Sequence, residues 1–557
     1  MTSFLEFAKL CQKAEGIRGS LEKIDLVAAF LAQLDEAELA ISSNFIMGRI
    51  FPSTDMILGV GPSILYEALA KACGCTSEVI QDALRETGDA GLVASVVAQN
   101  RRPLNLSAFS SADQLTISDV YERFLSISRA SGKRSQDAKV KNLQFLFGEA
   151  TPLEAQYLAR LAMEDLRIGI GEGGVRDAIA KAFGQSSDLV ERGYNLTNDM
   201  GLVAQHAKRS SLSSLNIMIN HPIKMMLAQL GEGIAQAVQE MRIAAIEWKF
   251  DGARVQIHKN KEDVCIYSRR LENDTSSLPD ISRAVLKHVK AKSAILDGEA
   301  VAIGEDGRPR PFQDILKRFR RKHDVEKLAA QIPLRLFLFD ILYMDGQSLI
   351  DKPLSERRML LEEIADPRLV APQTLTDKSE DAEKMYHDAI SAGHEGIMIK
   401  NPASLYAPGK RGKNWLKIKP VMETLDLVVI GATWGEGRRA NFLGSYRLAC
   451  EDPKTGKLLD IGWVATGLTD EILSELTELF RDLIVMQKGM EVELKPAVIF
   501  EVAYEEIQRS PNYSSGYALR FPRLVEVRDD KSIEEADNLE RIVSLYQLQR
   551  GRNKGKV

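Results

Sequence analysis

The chain has 557 residues, 45% of them hydrophobic and 27% charged, with a formal net charge of −5; this suits a globular protein too large for one hydrophobic core, so two to four domains are expected. No apolar run approaches the roughly 18 residues of a membrane-spanning helix, and "MTSFLEFAKLCQKAEGIRG" lacks the basic start, apolar centre and cleavage site of a secretory leader, so a cytoplasmic location and no membrane partner are expected. Five cysteines (Cys11, Cys73, Cys75, Cys265, Cys450) without a C-x-x-C pair point to neither a zinc site nor a disulfide framework, and the weakly acidic total leaves nucleic-acid binding to be decided by local Lys and Arg clusters.

Residues 1–210 read as all-α. "IDLVAAFLAQLDEAELAISSNFIMG" and "EAQYLARLAMEDLRIGIG" place apolar residues at helical spacing between short Gly or Ser breaks. No internal repeat is evident in this periodicity. Two segments here suit a polyanion. "RASGKRSQDAKVK" clusters Lys133, Arg134, Lys139 and Lys141, and "LRIGIGEGGVRDAIAKAF", with Arg167, Gly169 and Gly171, opens a helix after alternate glycines whose N–H groups can cradle phosphate. A charge run is equally a solvated face. The serine-rich "AKRSSLSSLN" marks a boundary, after which short β-type runs such as "AAIEWKF", "RVQIHK" and "AILDGEAVAI" begin an α+β domain over 218–420. From 421 to 557, "LDLVVIGATWG", "GSYRLACE", "DIGWVATG" and "VIFEVAYEEI" follow one another between turn signals, which suits a small β-barrel ending in the basic tail "QRGRNKGKV". The fold class is multidomain α+β.

Chemistry concentrates in "AAIEWKFDGARVQIHK", where Lys249 closes an apolar strand before Asp251, Gly252 and Arg254. A free lysine is unprotonated in only about one molecule in 2,500 at neutral pH, so a nucleophilic lysine needs desolvation or cationic neighbours. The strand end supplies the first, and Arg254, Arg269, Lys417 and Lys419 can supply the second. Taken alone, K-x-D-G-x-R is equally a surface lysine paired with Asp251. Five stretches follow it in order: "YSRR" (Tyr267 to Arg270), "LDGEAV" (Leu296 to Val301), "LFDILYMDG" (Leu338 to Gly346), "EGIMIK" (Glu395 to Lys400) and "WLKIKP" (Trp415 to Pro420).

This ordered set resembles the covalent nucleotidyltransferase superfamily, and with the helical N-terminal domain it resembles the ATP-dependent DNA ligases of archaeal and eukaryotic replicative type. The resemblance implies an all-α DNA-binding domain, a nucleotidyltransferase (adenylation) domain and a C-terminal OB-fold β-barrel. It implies that Lys249 attacks the α-phosphate of ATP and carries AMP, that Glu247 recognises the adenine and that Phe339 stacks on it. Arg254 and Arg269 would hold ribose and phosphate. Glu299 would bind the ribose or a metal and Glu395 a metal, with Mg²⁺ or Mn²⁺ suited to their hard oxygens. Arg411, Lys417 and Lys419 would meet the triphosphate. "YALRFPRLVEVRDDK" resembles the motif ending R-x-D-K, which puts Arg528 and Lys531 on the leaving pyrophosphate, while Glu526 stands where many relatives carry Arg. Lys133, Arg134, Lys139, Arg167, Gly169 and Gly171 would contact duplex DNA. The implied partner is nicked double-stranded DNA encircled by a monomer, with the replication, recombination and repair functions of that family.

Competing classes are separable. A capping enzyme would use GTP and has no need of the helical segment, an NAD-dependent ligase would carry a four-cysteine zinc module absent here, and an RNA ligase would take RNA ends. A DNA-binding protein without chemistry would not need Lys249, Glu299, Glu395 and Lys417 together. Sliding-clamp docking is left open, because "AQNRRPLNLSAF" lacks the adjacent aromatic pair of such peptides.

Overall fold

The computed structural model describes residues 1–52, 56–100, 114–132, 134–319, 321, 324–420 with 323, 424–435, 439 and 441–549. Lys133, most of the "AQNRRPLNLSAF" loop and nearly all of the basic tail lie outside the described residues.

Twelve helices are described before residue 210. The first six are α1 (Phe4–Gly16), α2 (Ser20–Gln33), α3 (Glu36–Ile46), α4 (Pro62–Cys73), α5 (Ser77–Thr87) and α6 (Ala90–Gln99). The second six are α7 (Ile117–Arg129), α8 (Ser135–Glu149), α9 (Pro152–Ala162), α10 (Glu172–Phe183), α11 (Ser187–Thr197) and α12 (Met200–Lys208). They are two copies of one unit, which corrects the expectation of no repeat. Residues 59–94 and 169–204 align without a gap at a spacing of 110 and share Gly-x-Gly, Ala-Lys-Ala, the αL helix-ending glycines Gly74 and Gly184, and Asp-x-Gly-Leu-Val-Ala. Periodicity hid the repeat because both halves are amphipathic helices throughout; the shared caps betray it. Asp89 and Asp199 each accept from the third residue of the following helix, Leu92 and Leu202. The copies are exchanged in packing: α2 lies on α10 and α8 on α4, while α3 meets α12 and α9 meets α6. One apolar core runs through both.

Among its described residues the central domain has ten strands: β1 (Leu227–Leu230), β2 (Ala244–Lys249), β3 (Ala253–Asn260), β4 (Asp263–Ser268), β5 (Ser293–Ala302), β6 (Leu334–Met344), β7 (Gln347–Ser348), β8 (Gln373–Thr376), β9 (Gly396–Lys400) and β10 (Arg411–Ile418). They form two five-stranded sheets, ordered β1-β10-β9-β2-β8 and β4-β3-β5-β6-β7. Among its described residues the C-terminal domain holds nine strands, including Leu425–Trp434, Leu443–Asp452 and Ile499–Ala503, around one apolar core, with Tyr517–Arg520 and Arg523–Arg528 near its end. Among the described residues two helices, Asp470–Arg481 and Leu539–Leu548, pack on it. No helix among the described residues is long and apolar enough to cross a membrane.

Candidate active site

A cavity of about 690 Å³ is lined from both central sheets: β2 brings Glu247 and Lys249, β3 Arg254, β5 Glu299, β6 Phe339, and β10 Arg411, Trp415 and Lys417. Residues distant in the sequence meet here because antiparallel pairing of β2 with β9 sets Lys249 opposite Gly396, beside Glu395. Two glycines make this approach feasible. A Cβ on Gly396, whose φ is +133°, would collide with the Ile418 carbonyl, and one on Gly252 would stand 2.6 Å from the Ala300 carbonyl oxygen and 2.7 Å from Glu299 Cγ.

At one end Lys249 donates to Glu395, which Lys419 also meets at 3.0 Å. Burial alone would raise the Glu395 carboxyl, but the two ammonium groups hold it below the usual carboxylate range. Glu299 has the opposite fate: burial pushes it up to about 8, opposed by Lys249 and Arg254 and reinforced by Glu395 and Asp251. Two acidic side chains share this end of the cavity, and Glu299, which makes no ion pair among the described residues, becomes a carboxylate donor when a cation replaces its proton. Such a donor set fits a magnesium-sized cation whose remaining ligands come from phosphate and water. Lys417 is lowered by burial first, then by Lys419 and Lys249.

The other end is aromatic. Phe339 and Trp415 stand edge to face with centroids 6.2 Å apart, and the Nζ of Lys400 lies 4.5 Å and 4.3 Å from their centroids. Lys400 is 1% exposed and ion-paired with Glu247, which also accepts from Gln373 at 2.7 Å. The indole N–H of Trp415 is buried without a hydrogen-bond partner among the described residues. Arg269, Arg411 and Lys419 complete the cationic wall, and the C-terminal domain adds Glu505, Arg520 and Phe521, with Lys419 paired to Glu505 at 3.0 Å.

An aromatic slot at one end of a polyanion-sized pocket, with a lysine and two carboxylates at the other, is built for a nucleotide. Residues 225–419 match the ATP dependent DNA ligase domain, 3–180 the DNA ligase N terminus and 439–531 the ATP dependent DNA ligase C terminal region. The chain belongs to the ATP-dependent DNA ligase family. It is 63% identical over the full length of both chains to a DNA ligase of Methanothrix thermoacetophila, and 52% identical to one of Archaeoglobus fulgidus over 98% of this chain and 99% of that one. A solved structure named Pmar-Lig_PreS3, 19% identical with a TM-score of 0.57, covers 94% of this chain and 99% of its own, and shares the fold. As a DNA ligase the chain is an enzyme that joins DNA at the expense of ATP.

The ligase cavity gathers Glu247, Lys249, Arg254, Arg269, Glu299, Phe339, Glu395, Arg411, Lys417 and Lys419. It does not gather Arg528 and Lys531, which pair on the C-terminal domain with Asp426 while Arg528 also meets Asp530. Sequence reading assigned no role to Lys400 or Trp415; the signal was present, since "GIMIK" ends an apolar strand on lysine as "AAIEWK" does. Among the expected DNA contacts, Arg134 is exposed, whereas Arg167 pairs with Asp165 and Asp89. Lys139 donates to the carbonyls of Leu58 and Gly59 at 3.0 and 2.8 Å. In the other repeat, Lys23 donates to Ile168 and Gly169 at 2.8 and 3.4 Å.

Proposed function

We propose that this ligase seals nicks in duplex DNA through Lys249 as the nucleophile. The reading is carried by Lys249 lying in one cavity with Arg254, Arg269, Arg411, Lys417 and Lys419, the acidic Glu299 and Glu395, and an aromatic slot. The Lys249 amine attacks the α-phosphate of ATP, a P–N bond forms as the bond to pyrophosphate breaks, and AMP remains on the lysine. AMP then passes to the 5′-phosphate of the nick, and the 3′-hydroxyl displaces it. Arg411, Lys417 and Lys419 neutralise charge on the phosphates, Arg254 and Arg269 hold ribose and phosphate, and Glu247 with Phe339 receives the adenine. Glu299 and Glu395 would hold Mg²⁺ or Mn²⁺, which supplies further charge neutralisation at phosphorus. Arg528 and Lys531 reach leaving pyrophosphate only if the C-terminal domain rotates about its join near residue 420.

The domains are assigned as 1–210, 218–420 and 421–557. Duplex DNA is gripped by Arg134 and by the glycine loop at Gly169 and Gly171, with sequence-independent, salt-sensitive affinity. Incubation with α-³²P-ATP and magnesium, then denaturing electrophoresis and a nicked-duplex assay, tests the reading. Label on wild type and none on Lys249→Ala, with transfer and sealing, is the expected result. Label moving only to RNA ends would make it an RNA ligase, and no label would leave a DNA-binding protein.

A further inference from the structure

Arg254 is held by more than its own strand. Its Nη1 donates to the carbonyl of Met226 at 2.6 Å and its Nη2 to Asp297 at 2.7 Å, with Tyr406 Oη 3.4 Å away. The Tyr406 hydroxyl uses its whole capacity here: it donates to Asp297 at 2.6 Å and accepts from the Met226 N–H at 3.0 Å. Asp297 and Tyr406 are 0% and 2% exposed. The third side of the guanidinium differs, since Nε is buried with no hydrogen-bond partner among the described residues. The Arg254 side chain itself lines the cavity, with the Phe339 and Trp415 ring centroids 5.4 and 5.8 Å from its Cζ.

Met226 belongs to the strap that joins the N-terminal and central domains. Its neighbour Lys224 donates its backbone N–H to Asn195 at 3.0 Å and its ammonium to Glu172 at 2.6 Å, both on the helical domain. Beyond Met226 the strap continues as β1, whose Leu227 and Leu230 stand in register with Arg411 and Lys417. On its other side, Ile223 exchanges backbone hydrogen bonds with the buried amide of Gln256, which reaches Asp297. The strap is thus a wall of the cavity as well as a tether.

We infer that Tyr406 is a positioning residue for Arg254, locking the guanidinium between Asp297 and the Met226 backbone so that the side chain keeps its place in the cavity wall that meets the nucleotide. This rests on the proposed adenylylation of Lys249. Removing the hydroxyl leaves the ring and its packing in place but frees the Met226 N–H and lets the guanidinium turn. A residue acting through Arg254 loses its effect once Arg254 is altered, whereas one that merely supports the fold does not.

The test is the rate of α-³²P-AMP labelling against ATP concentration for wild type, Tyr406→Phe, Arg254→Lys and the double variant, with Asp297→Asn as a second probe of the same lock. The expected result is a five- to tenfold higher KM for ATP in Tyr406→Phe with kcat within twofold, the same direction in Asp297→Asn, and no further rise when Tyr406→Phe is added to Arg254→Lys. A wild-type KM in Tyr406→Phe, or an equal rise in both backgrounds, overturns the inference while the ligase reading stands. Failure of wild type to label overturns both.

Discussion

Lys249, Lys400 and Lys419 share one cavity, and their partners divide their work. Lys400 is buried against two rings and paired with Glu247, an arrangement that fixes a slot. Lys419 bridges Glu395 and Glu505, while Lys249 pairs with Glu395 alone among the described residues. His258, behind the cavity, carries a pH dependence of stability. Its Nδ1 accepts from the Asn220 N–H at 2.9 Å and its Nε2 donates to the side-chain Oε1 of Gln256 at 3.0 Å, so only the neutral ring fits. Burial, then His221, lowers it to about 3. A depressed folded value means that the unfolded chain takes the proton first as pH falls. The stability held by neutral His258 is therefore full above about pH 6.5 and lost toward pH 3, at roughly 1.4 kcal/mol per pH unit. Melting temperatures of wild type and His258→Gln should differ most near pH 7.5 and converge toward pH 5; a constant gap would exclude the mechanism.

At the scale of elements, the repeated helices give the same device twice. A lysine of one copy, Lys23 or Lys139, caps the carbonyls of the other copy's glycine loop, next to the helix starting at Glu172 or Pro62. The ammonium takes the carbonyls of Leu58 and Gly59, so the interaction the structure gives Lys139 holds the loop, where the sequence raises the expectation of a direct phosphate contact. Replacing it should cost about 1–3 kcal/mol, because charge-assisted bonds are lost and carbonyls left unpaired. Lys139→Met is therefore expected to lower the melting temperature and weaken nicked-DNA binding without changing the slope of log affinity against log salt. Arg134→Ala, if Arg134 contacts phosphate, should reduce that slope by about 0.9. Fluorescence anisotropy at four salt concentrations distinguishes them.

At the scale of the whole molecule, the C-terminal domain closes on the cavity through Glu505 and Arg520, whose guanidinium lies 4.6 Å over the Phe312 ring. Glu505 places a carboxylate on Lys419, where the reading puts a phosphate. The two anions compete for one ammonium, so Glu505→Gln is expected to lower the KM for ATP in lysine labelling about two- to fivefold, more at low salt than at high. An unchanged KM would mean that nucleotide and Glu505 do not share Lys419.

The order of short motifs, each a charged or aromatic residue closing an apolar strand, was enough to read the family, the α-then-α+β-then-β sequence of domains and most of the cavity wall, because strand alternation and motif order are local properties of the chain. Lys249 and Glu395 were legible in that way. The internal repeat was also written in the sequence, at a fixed spacing, but its meaning depended on which helix packs on which. Only the tertiary structure gave Lys139 a backbone partner 80 positions away, put Arg528 and Lys531 on Asp426 rather than in the cavity, and made Met226 and Tyr406 a single lock on Arg254. Those are pairings of groups distant in sequence, settled by sheet register and domain docking, and no local pattern of residues carries them.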